Sequence, residues 1–557
     1  MVKLGQPPQG EVFRVLGLGE MQFWPLRVMR LVDHAEREHG DREIVSAWGD
    51  GSITRTNWKT VAHQARQMAQ ALVALGIAKG DRVATMAMNH SRHLVAWYGA
   101  IGAGGVLHTL NPRLFPDQLD YIANHAEDRV LLYDHAFAPL VEMMKPRWPT
   151  IETYVCFDPP AGWEGDIAFD DWITSQDGAF DWVEGDEREP CALCYTSGTT
   201  GNPKGVLYEH RSTLLHAWAE VQPDCFNLSA RSTALPIVPM FHANAWGLPW
   251  AAPLTGCKLV LSADYQPKRM VDLFREEGVT HSAGVPTIWV GMIQHIEASG
   301  DTLGPVRYVT IGGSAAPRAM IQWFRNRGID VGHAWGMTET SPIGSLGGKP
   351  AGWEEKTEAE QVAWTARQGR IPFGVELRTV DEEGNELPRD GESSGNLEIR
   401  GPWVIKRYFK ADGDAVEDDG WFDTGDVATI HPDGTMQITD RSKDVIKSGG
   451  EWISSIELEN AAVGFEGVAE AAAIGVAHPK WDERPLLCVV RREGAEVCPV
   501  RLREHLSTQV AKWWLPDAIE FVDELPHTAT GKLSKRTLRD QFRDYQFPGV
   551  DAMQGRD

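Results

Sequence analysis

From Tyr195 to Gly205 the chain reads YTSGTTGNPKG. Gly198 and Gly201 let backbone N–H groups approach an anion closely, Thr196, Ser197, Thr199 and Thr200 supply hydroxyl donors, and Lys204 supplies charge. Such a loop holds a phosphate chain. It is not a Walker A loop. That motif needs a longer spacing between its glycines and a Lys-Ser or Lys-Thr pair directly after the second, whereas here only Thr199 and Thr200 separate the glycines and Asn202-Pro203 precede Lys204.

Other blocks with chemical content follow. GGSAAPR runs from Gly312 to Arg318, WGMTETSP from Trp335 to Pro342, GWFDTGD from Gly420 to Asp426, DRSKDVIKSGGEWIS from Asp440 to Ser454, and PHTATGKLSKR from Pro526 to Arg536. Taken locally, Gly312–Ala316 is either a strand-to-helix turn or a place where backbone meets a ligand. Thr338 and Glu339 are either a helix cap with its first-turn acid, or a hydroxyl and a hard carboxylate facing phosphate and a divalent cation. Lys532 stands in a basic run with Lys535, Arg536 and Arg539. A compact charge on a flexible stem suits a mobile catalytic group.

These residues need a scaffold, and the first half alternates helix and strand patterns. Val61, Ala65, Met68 and Leu72 share one helical face that Gly76 can end. RVATMAM (Arg82 to Met88) and RVLLYD (Arg129 to Asp134) read as strands around a helical HLVAWYGAIGA (His93 to Ala103). After the loop, strands are expected at Cys257–Ala263, Thr280–Val285, Val306–Gly313 and Asp330–Gly336, with helices at Pro267–Gly278 and Ala316–Gly328. The expected class is α/β, with two doubly wound sheets in a large N-terminal domain. From about Gly369 the texture changes to short strands and turns, a small β-barrel-like unit. Past Asp440 it reads as a small α+β domain, with Ser454 and Glu457 at capping-box spacing for a helix through Ala461. The expected domains are 1–440 and 441–557.

Composition narrows the classes. The 557 residues exceed one ordinary core. The formal net charge of −24 disfavours nucleic acid and anionic membranes as partners, and it means an anionic substrate needs a locally positive site. The stretch Thr233–Cys257 lacks charge but carries four prolines, so no integral membrane segment is expected. Seven scattered cysteines fit reduced thiols and a cytoplasmic location. Cys191 and Cys194 spell C-x-x-C without a second pair, and read as a buried strand leading into the loop.

The ordered set of blocks resembles the acyl-adenylate-forming enzymes, a superfamily that holds acyl-CoA synthetases, adenylation domains of nonribosomal peptide synthetases and beetle luciferases. The resemblance covers nearly the whole chain and implies ATP, Mg²⁺ and CoA as cofactor and co-substrates. In that chemistry a carboxylate attacks the α-phosphorus of ATP, giving acyl-AMP and pyrophosphate, and CoA then takes the acyl group. The resemblance puts Thr196, Ser197, Gly198, Thr199, Thr200, Gly201 and Lys204 on the β- and γ-phosphates, a leaving group. It puts Thr338 on the α-phosphate, Glu339 on Mg²⁺, and Gly313, Ser314, Ala315, Ala316, Trp335 and Gly336 around adenine and the acyl carboxylate. Asp426 and Arg441 would hold the ribose. Lys532 would reach from the small domain to the junction of carboxylate and α-phosphate. Family members often have tyrosine where Trp335 stands.

The same resemblance makes Lys443 a hinge, about which the small domain turns between the two half-reactions, and brings Lys447 and Gly449 to the CoA thiol arm. Trp452 either packs on the nucleotide or belongs to the core. VPMFHANAWGLPWAAP (Val238 to Pro253) would wall the acyl pocket. His242 there either neighbours the carboxylate or is a satisfied structural histidine. Trp246 either gates the acyl tunnel or is core. This segment most resembles bacterial medium- and long-chain fatty acyl-CoA synthetases. The same pattern occurs in 3-methylmercaptopropionate ligases, and aryl or arylalkanoate ligases are a further alternative. A nonribosomal adenylation domain and a luciferase-like oxygenase are the rivals outside the ligases. The expected partners are a small-molecule carboxylic acid, ATP and CoA, and family membership implies a homodimer.

Overall fold

The computed structural model describes residues 21–196, 202–441, 443–448, 451–527 and 533–548. Two large sheets form the body. The seven-stranded sheet runs, in spatial order, through Ile167–Ala168, Thr153–Cys156, Asp128–Tyr133, Arg82–Met86, Val106–Thr109, Pro190–Tyr195 and Gly205–Glu209. Every neighbouring pair is parallel except the last, which is antiparallel and has residues 196–204 between its strands. The eight-stranded sheet runs through Ile343–Leu346, Asp330–Gly336, Tyr308–Ile311, His281–Gly284, Thr233–Pro236, Lys258–Ser262, Glu43–Ala47 and Ile53–Asn57. It is parallel inside and antiparallel only at its two ends.

The local reasons are ordinary. Helix Trp58–Ala74 starts where the Asn57 side chain accepts from the Thr60 N–H at 2.9 Å, buries Val61, Ala65, Met68 and Leu72, and is followed by Gly76 at φ +81°. It packs on helix Ser91–Gly102 so closely that a side chain at Gly99 would meet Met68. Cys191 and Cys194 lie buried in strand Pro190–Tyr195, as free thiols. One large apolar cluster joins the two sheets, from Val32 and Trp97 to Trp250 and Leu261. The sheets therefore stand on a shared core.

Strand Glu43–Ala47 departs from the order of the sequence. It pairs with Lys258–Ser262, with Ile44 opposite Leu259, so the first strand among the described residues belongs to the second sheet. Ile44 and Val45 are fully buried there.

The β-rich unit is an antiparallel meander of Glu376–Val380, Ser394–Arg400, Phe422–Ile430 and Met436–Arg441. The small unit beyond it has a five-stranded sheet of Glu451–Ile453, Ile446–Ser448, Asp482–Arg491, Val468–His478 and Ala518–Phe521. Helices Ser455–Val463, Pro499–Ser507 and Lys535–Gln541 accompany it. The Ser454 hydroxyl accepts from the Glu457 N–H at 3.2 Å, and that helix runs two residues past Ala461.

Candidate active site

The phosphate-loop segment is closed at its root. Thr196 N–H donates to the Lys204 carbonyl at 2.9 Å, and the Tyr195 hydroxyl meets His125 Nδ1 at 2.7 Å. Ser197, Gly198, Thr199, Thr200 and Gly201 lie outside the described residues. Lys204 Nζ stands over the ring of Tyr408 at 4.6 Å, and the Tyr408 hydroxyl donates to Glu339 Oε1 at 2.8 Å. Burial and the Glu339 charge push the Tyr408 phenol up, so it keeps its proton and donates. Ile405 N–H donates to the Glu339 carbonyl at 2.8 Å, which fixes the backbone below the carboxylate.

Thr338 and Glu339 sit in the short turn Thr338–Thr340, directly after strand Asp330–Gly336. The buried Tyr208 hydroxyl donates to the Thr338 carbonyl at 2.7 Å and anchors that turn. A Cβ at Gly336 would collide with the Pro342 carbonyl, so the strand can turn here only with glycine. Trp335 is 8% exposed, and its indole Nε1–H donates to Asp426 Oδ2 at 2.8 Å. Arg441 Nε stands 3.6 Å from Asp426 Oδ1, and the two residues face each other in the meander. A ring, a carboxylate and a guanidinium thus form one group, set by two different sheets.

Gly313, Ser314, Ala315 and Ala316 follow strand Tyr308–Ile311, with Gly313 at φ +80°. Ala316 N–H donates to His333 Nε2 at 3.1 Å, so the proton of that ring sits on Nδ1, which donates to the Ala366 carbonyl at 2.9 Å. Burial holds the His333 imidazole down at about 4, hence neutral.

The segment Val238–Pro253 holds an unusual backbone. Ala243, Asn244, Ala245 and Trp246 have φ of 41°, 53°, 51° and 54°, and Gly247 follows at φ +83°. A left-handed conformation costs roughly 1–2 kcal/mol for each non-glycine residue. The surroundings hold it: Cys194 Sγ donates to Asn244 Oδ1 at 3.2 Å, and the Tyr98 hydroxyl donates to the Pro249 carbonyl at 3.1 Å. His242 begins the turn, and its N–H donates to the Pro239 carbonyl at 2.9 Å. Trp246 is buried, and a Cβ at Gly312 would lie 3.3 Å from its ring. The acyl segment and the glycine-rich turn therefore meet at this ring.

Lys443 lies in the turn between the meander and the small unit, where Asp444 N–H donates to the Arg441 carbonyl at 2.8 Å. Asp440 Oδ2 accepts from Ser455 N at 2.7 Å and Ser455 Oγ at 2.6 Å, and the Ser454 hydroxyl donates to the Thr439 carbonyl. Lys535 pairs with Glu459 at 2.8 Å, and Arg539 pairs with Asp444 at 2.6 Å. Lys447 is exposed, with its N–H donating to Glu483 Oε2 at 3.0 Å. Lys532 and Gly449 lie outside the described residues, as does the Trp452 side chain.

The structure thus joins Lys204 to Glu339 through Tyr408, Trp335 to Arg441 through Asp426, and Trp246 to Gly312. Sequence reasoning passed over Tyr408, Tyr208 and His333. Each is a single side chain far along the chain from the group it supports, and no spacing rule points to it.

The AMP-binding enzyme family matches residues 32–409, and its C-terminal domain matches residues 457–532. The chain is 49% identical to the 3-methylmercaptopropionyl-CoA ligase of Ruegeria pomeroyi over 95% of this chain and 99% of that one. It is 46% identical to the medium-chain-fatty-acid–CoA ligase of Ectopseudomonas oleovorans over 95% of this chain and 98% of that one. The fold matches the crystal structure of the anthranilate CoA ligase AuaEII in complex with anthranoyl-AMP, with a TM-score of 0.83 at 24% identity, covering 93% of this chain and 98% of that one. No helix among the described residues is long and apolar enough to cross a membrane. With the large unit and the small one both matched, the chain belongs to the AMP-binding enzyme family.

Proposed function

We propose that the protein is an AMP-forming acyl-CoA ligase. A carboxylate oxygen of the acid attacks the α-phosphorus of ATP, the bond to pyrophosphate breaks, and acyl-AMP forms. The CoA thiolate then attacks the acyl carbonyl, and AMP leaves. Both steps build negative charge on oxygen, so positioned cations and donors are the main catalytic means.

One observation carries this reading: Lys204, Tyr408 and Glu339 are linked, which sets the cationic end of the phosphate loop beside a buried carboxylate. Glu339 suits Mg²⁺, which takes one or two carboxylates together with substrate phosphates. Among the described residues no cluster of three or more His, Cys, Asp or Glu could hold a metal by protein ligands alone, so phosphate oxygens would complete the shell. The cation would neutralise charge on the departing pyrophosphate. Trp335 would lie on adenine, Asp426 and Arg441 would hold the ribose, and the Gly313–Ala316 turn would receive the nucleotide and the carboxylate. Lys532 would bring its ammonium group to the α-phosphate during adenylation. Rotation about Lys443 would then bring Lys447 and Gly449 to the thiol arm. In that scheme 1–440 is the substrate-binding domain and 441–557 the mobile one, acting in the cytoplasm.

The acid we propose is a medium- or long-chain fatty acid, held by the wall from His242 to Leu248. The 49% identity to a 3-methylmercaptopropionyl-CoA ligase favours a second reading, a short thioether acid in the same pocket. ATP–pyrophosphate exchange with C3 to C18 acids and 3-methylmercaptopropionate, repeated with CoA to detect AMP and thioester, tests both. Absence of exchange with every acid overturns the ligase reading.

A further inference from the structure

Helix His210–Glu220 holds a carboxyl that the adenylation chemistry does not use. Glu220 is 1% exposed, and among the described residues neither of its carboxyl oxygens has a hydrogen-bond partner. A group of this kind is costly to bury and calls for an explanation. Its surroundings supply one. A Cβ added at Gly247 would collide with both Glu220 oxygens, so the carboxyl lies flat against the glycine that ends the left-handed turn.

One helical turn back, His216 Nδ1 stands 3.6 Å from Glu220 Oε1. Ile343 N–H donates to His216 Nε2 at 3.1 Å, so the imidazole proton is on Nδ1 and faces the carboxyl. Burial favours the neutral form of both groups, raising the carboxyl and holding the imidazole down at about 3. The pair is thus two neutral buried groups in contact.

The Glu220 carboxyl abuts the segment at Gly247. Trp246 precedes Gly247 and Leu248 follows it. Leu248 lines a tightly packed gap, too narrow to hold a water molecule, together with Phe226, Leu228, His281, Ser282 and Tyr308. Phe226 is tied to the same helix end, its N–H donating to the Glu220 carbonyl at 2.8 Å. The carboxyl of Glu220 therefore props the turn from behind, and the turn stands between the glycine-rich block at Gly312 and the gap.

We propose that Glu220 is a specificity-determining positioning residue: by holding Gly247 forward it keeps Trp246 and Leu248 advanced and limits the length of acyl chain that the pocket accepts. The inference rests on the acyl-CoA ligase reading. Shortening the prop lets the turn fall back and deepens the pocket.

The test is a chain-length series from butanoate to dodecanoate in the complete enzyme, read as kcat/KM for thioester formation. Glu220→Ala shifts the ratio of decanoate to butanoate upward by about tenfold, the scale on which an apolar pocket discriminates methylene groups. Glu220→Gln keeps the shape of the carboxyl and the original profile. An unchanged profile in Glu220→Ala, or the same shift in Glu220→Gln as in Glu220→Ala, overturns the inference. Unaltered enzyme that turns over none of these acids, nor C3 to C18 acids and 3-methylmercaptopropionate, overturns the ligase reading instead, and the two failures are distinct.

Discussion

The Tyr408 hydroxyl donates to Glu339 Oε1 at 2.8 Å while its ring underlies Lys204 Nζ at 4.6 Å. One side chain thus faces both the phosphate loop and the carboxylate suited to a divalent cation. A tyrosine serves here because its ring receives the ammonium group and its protonated phenol orients the carboxylate.

Tyr408→Phe keeps the ring and deletes the donor. The expected outcome is a higher Mg²⁺ requirement, with half-saturation raised about 10–100-fold, the usual effect of losing a group that orients a metal ligand. Mg²⁺ titration of pyrophosphate exchange at saturating ATP measures it. An unchanged titration removes the orienting role.

Asp426→Ala leaves the Trp335 indole N–H and Arg441 without their shared acceptor. The KM for ATP is expected to rise about 10–100-fold, as for the loss of hydrogen bonds to a charged group, while the KM for the acid stays close to its original value. Exchange kinetics with each substrate varied in turn separate the two. A rise confined to the acid would place Asp426 outside the nucleotide site.

Lys532→Ala is expected to abolish acyl-AMP formation and to keep conversion of supplied acyl-AMP to thioester. Lys443→Pro is expected to do the reverse. Assays of the two partial reactions decide, and equal loss of both in either variant ends the division of labour between domain orientations.

Five buried histidines give a pH prediction. Burial lowers His93, His210 and His216 to about 3 and His281 and His333 to about 4. The unfolded chain takes up protons at these side chains below 6.5, whereas the folded chain does not until the lower values are reached. Their stabilising contribution is therefore complete above pH 6.5 and is lost as the pH falls toward 4 and then 3. Each contributes at most about 1.4 kcal/mol per pH unit in that window. Urea unfolding at pH 7.5 and 5.5 should show a marked drop in midpoint, reduced in His333→Gln. A pH-independent midpoint contradicts the neutral burial of these rings.

Much of the scaffold was legible because it is local. The spacing of Val61, Ala65, Met68 and Leu72 declares a helix face, and Asp330–Gly336 reads as a strand from its apolar run and final glycine. The placement of Glu43–Ala47 was not legible, since pairing with Lys258–Ser262 depends on tertiary fit and leaves no mark on the five residues themselves. The resemblance carried by the motif blocks singled out Lys204, Trp335, Glu339 and Asp426. It could not find Tyr408, which reaches Glu339 from a loop without a pattern, or the left-handed turn at 243–246, which is imposed on residues that do not favour it.

The early strand at Glu43–Ala47 also constrains how the chain is born. Its parallel neighbour leaves the ribosome long after it does, so Ile44 and Val45, fully buried in the finished protein, wait unsheltered during synthesis. Cutting the gene between the two sheets should therefore yield an insoluble first fragment and a second fragment with a raw edge, and neither half should assemble without the other.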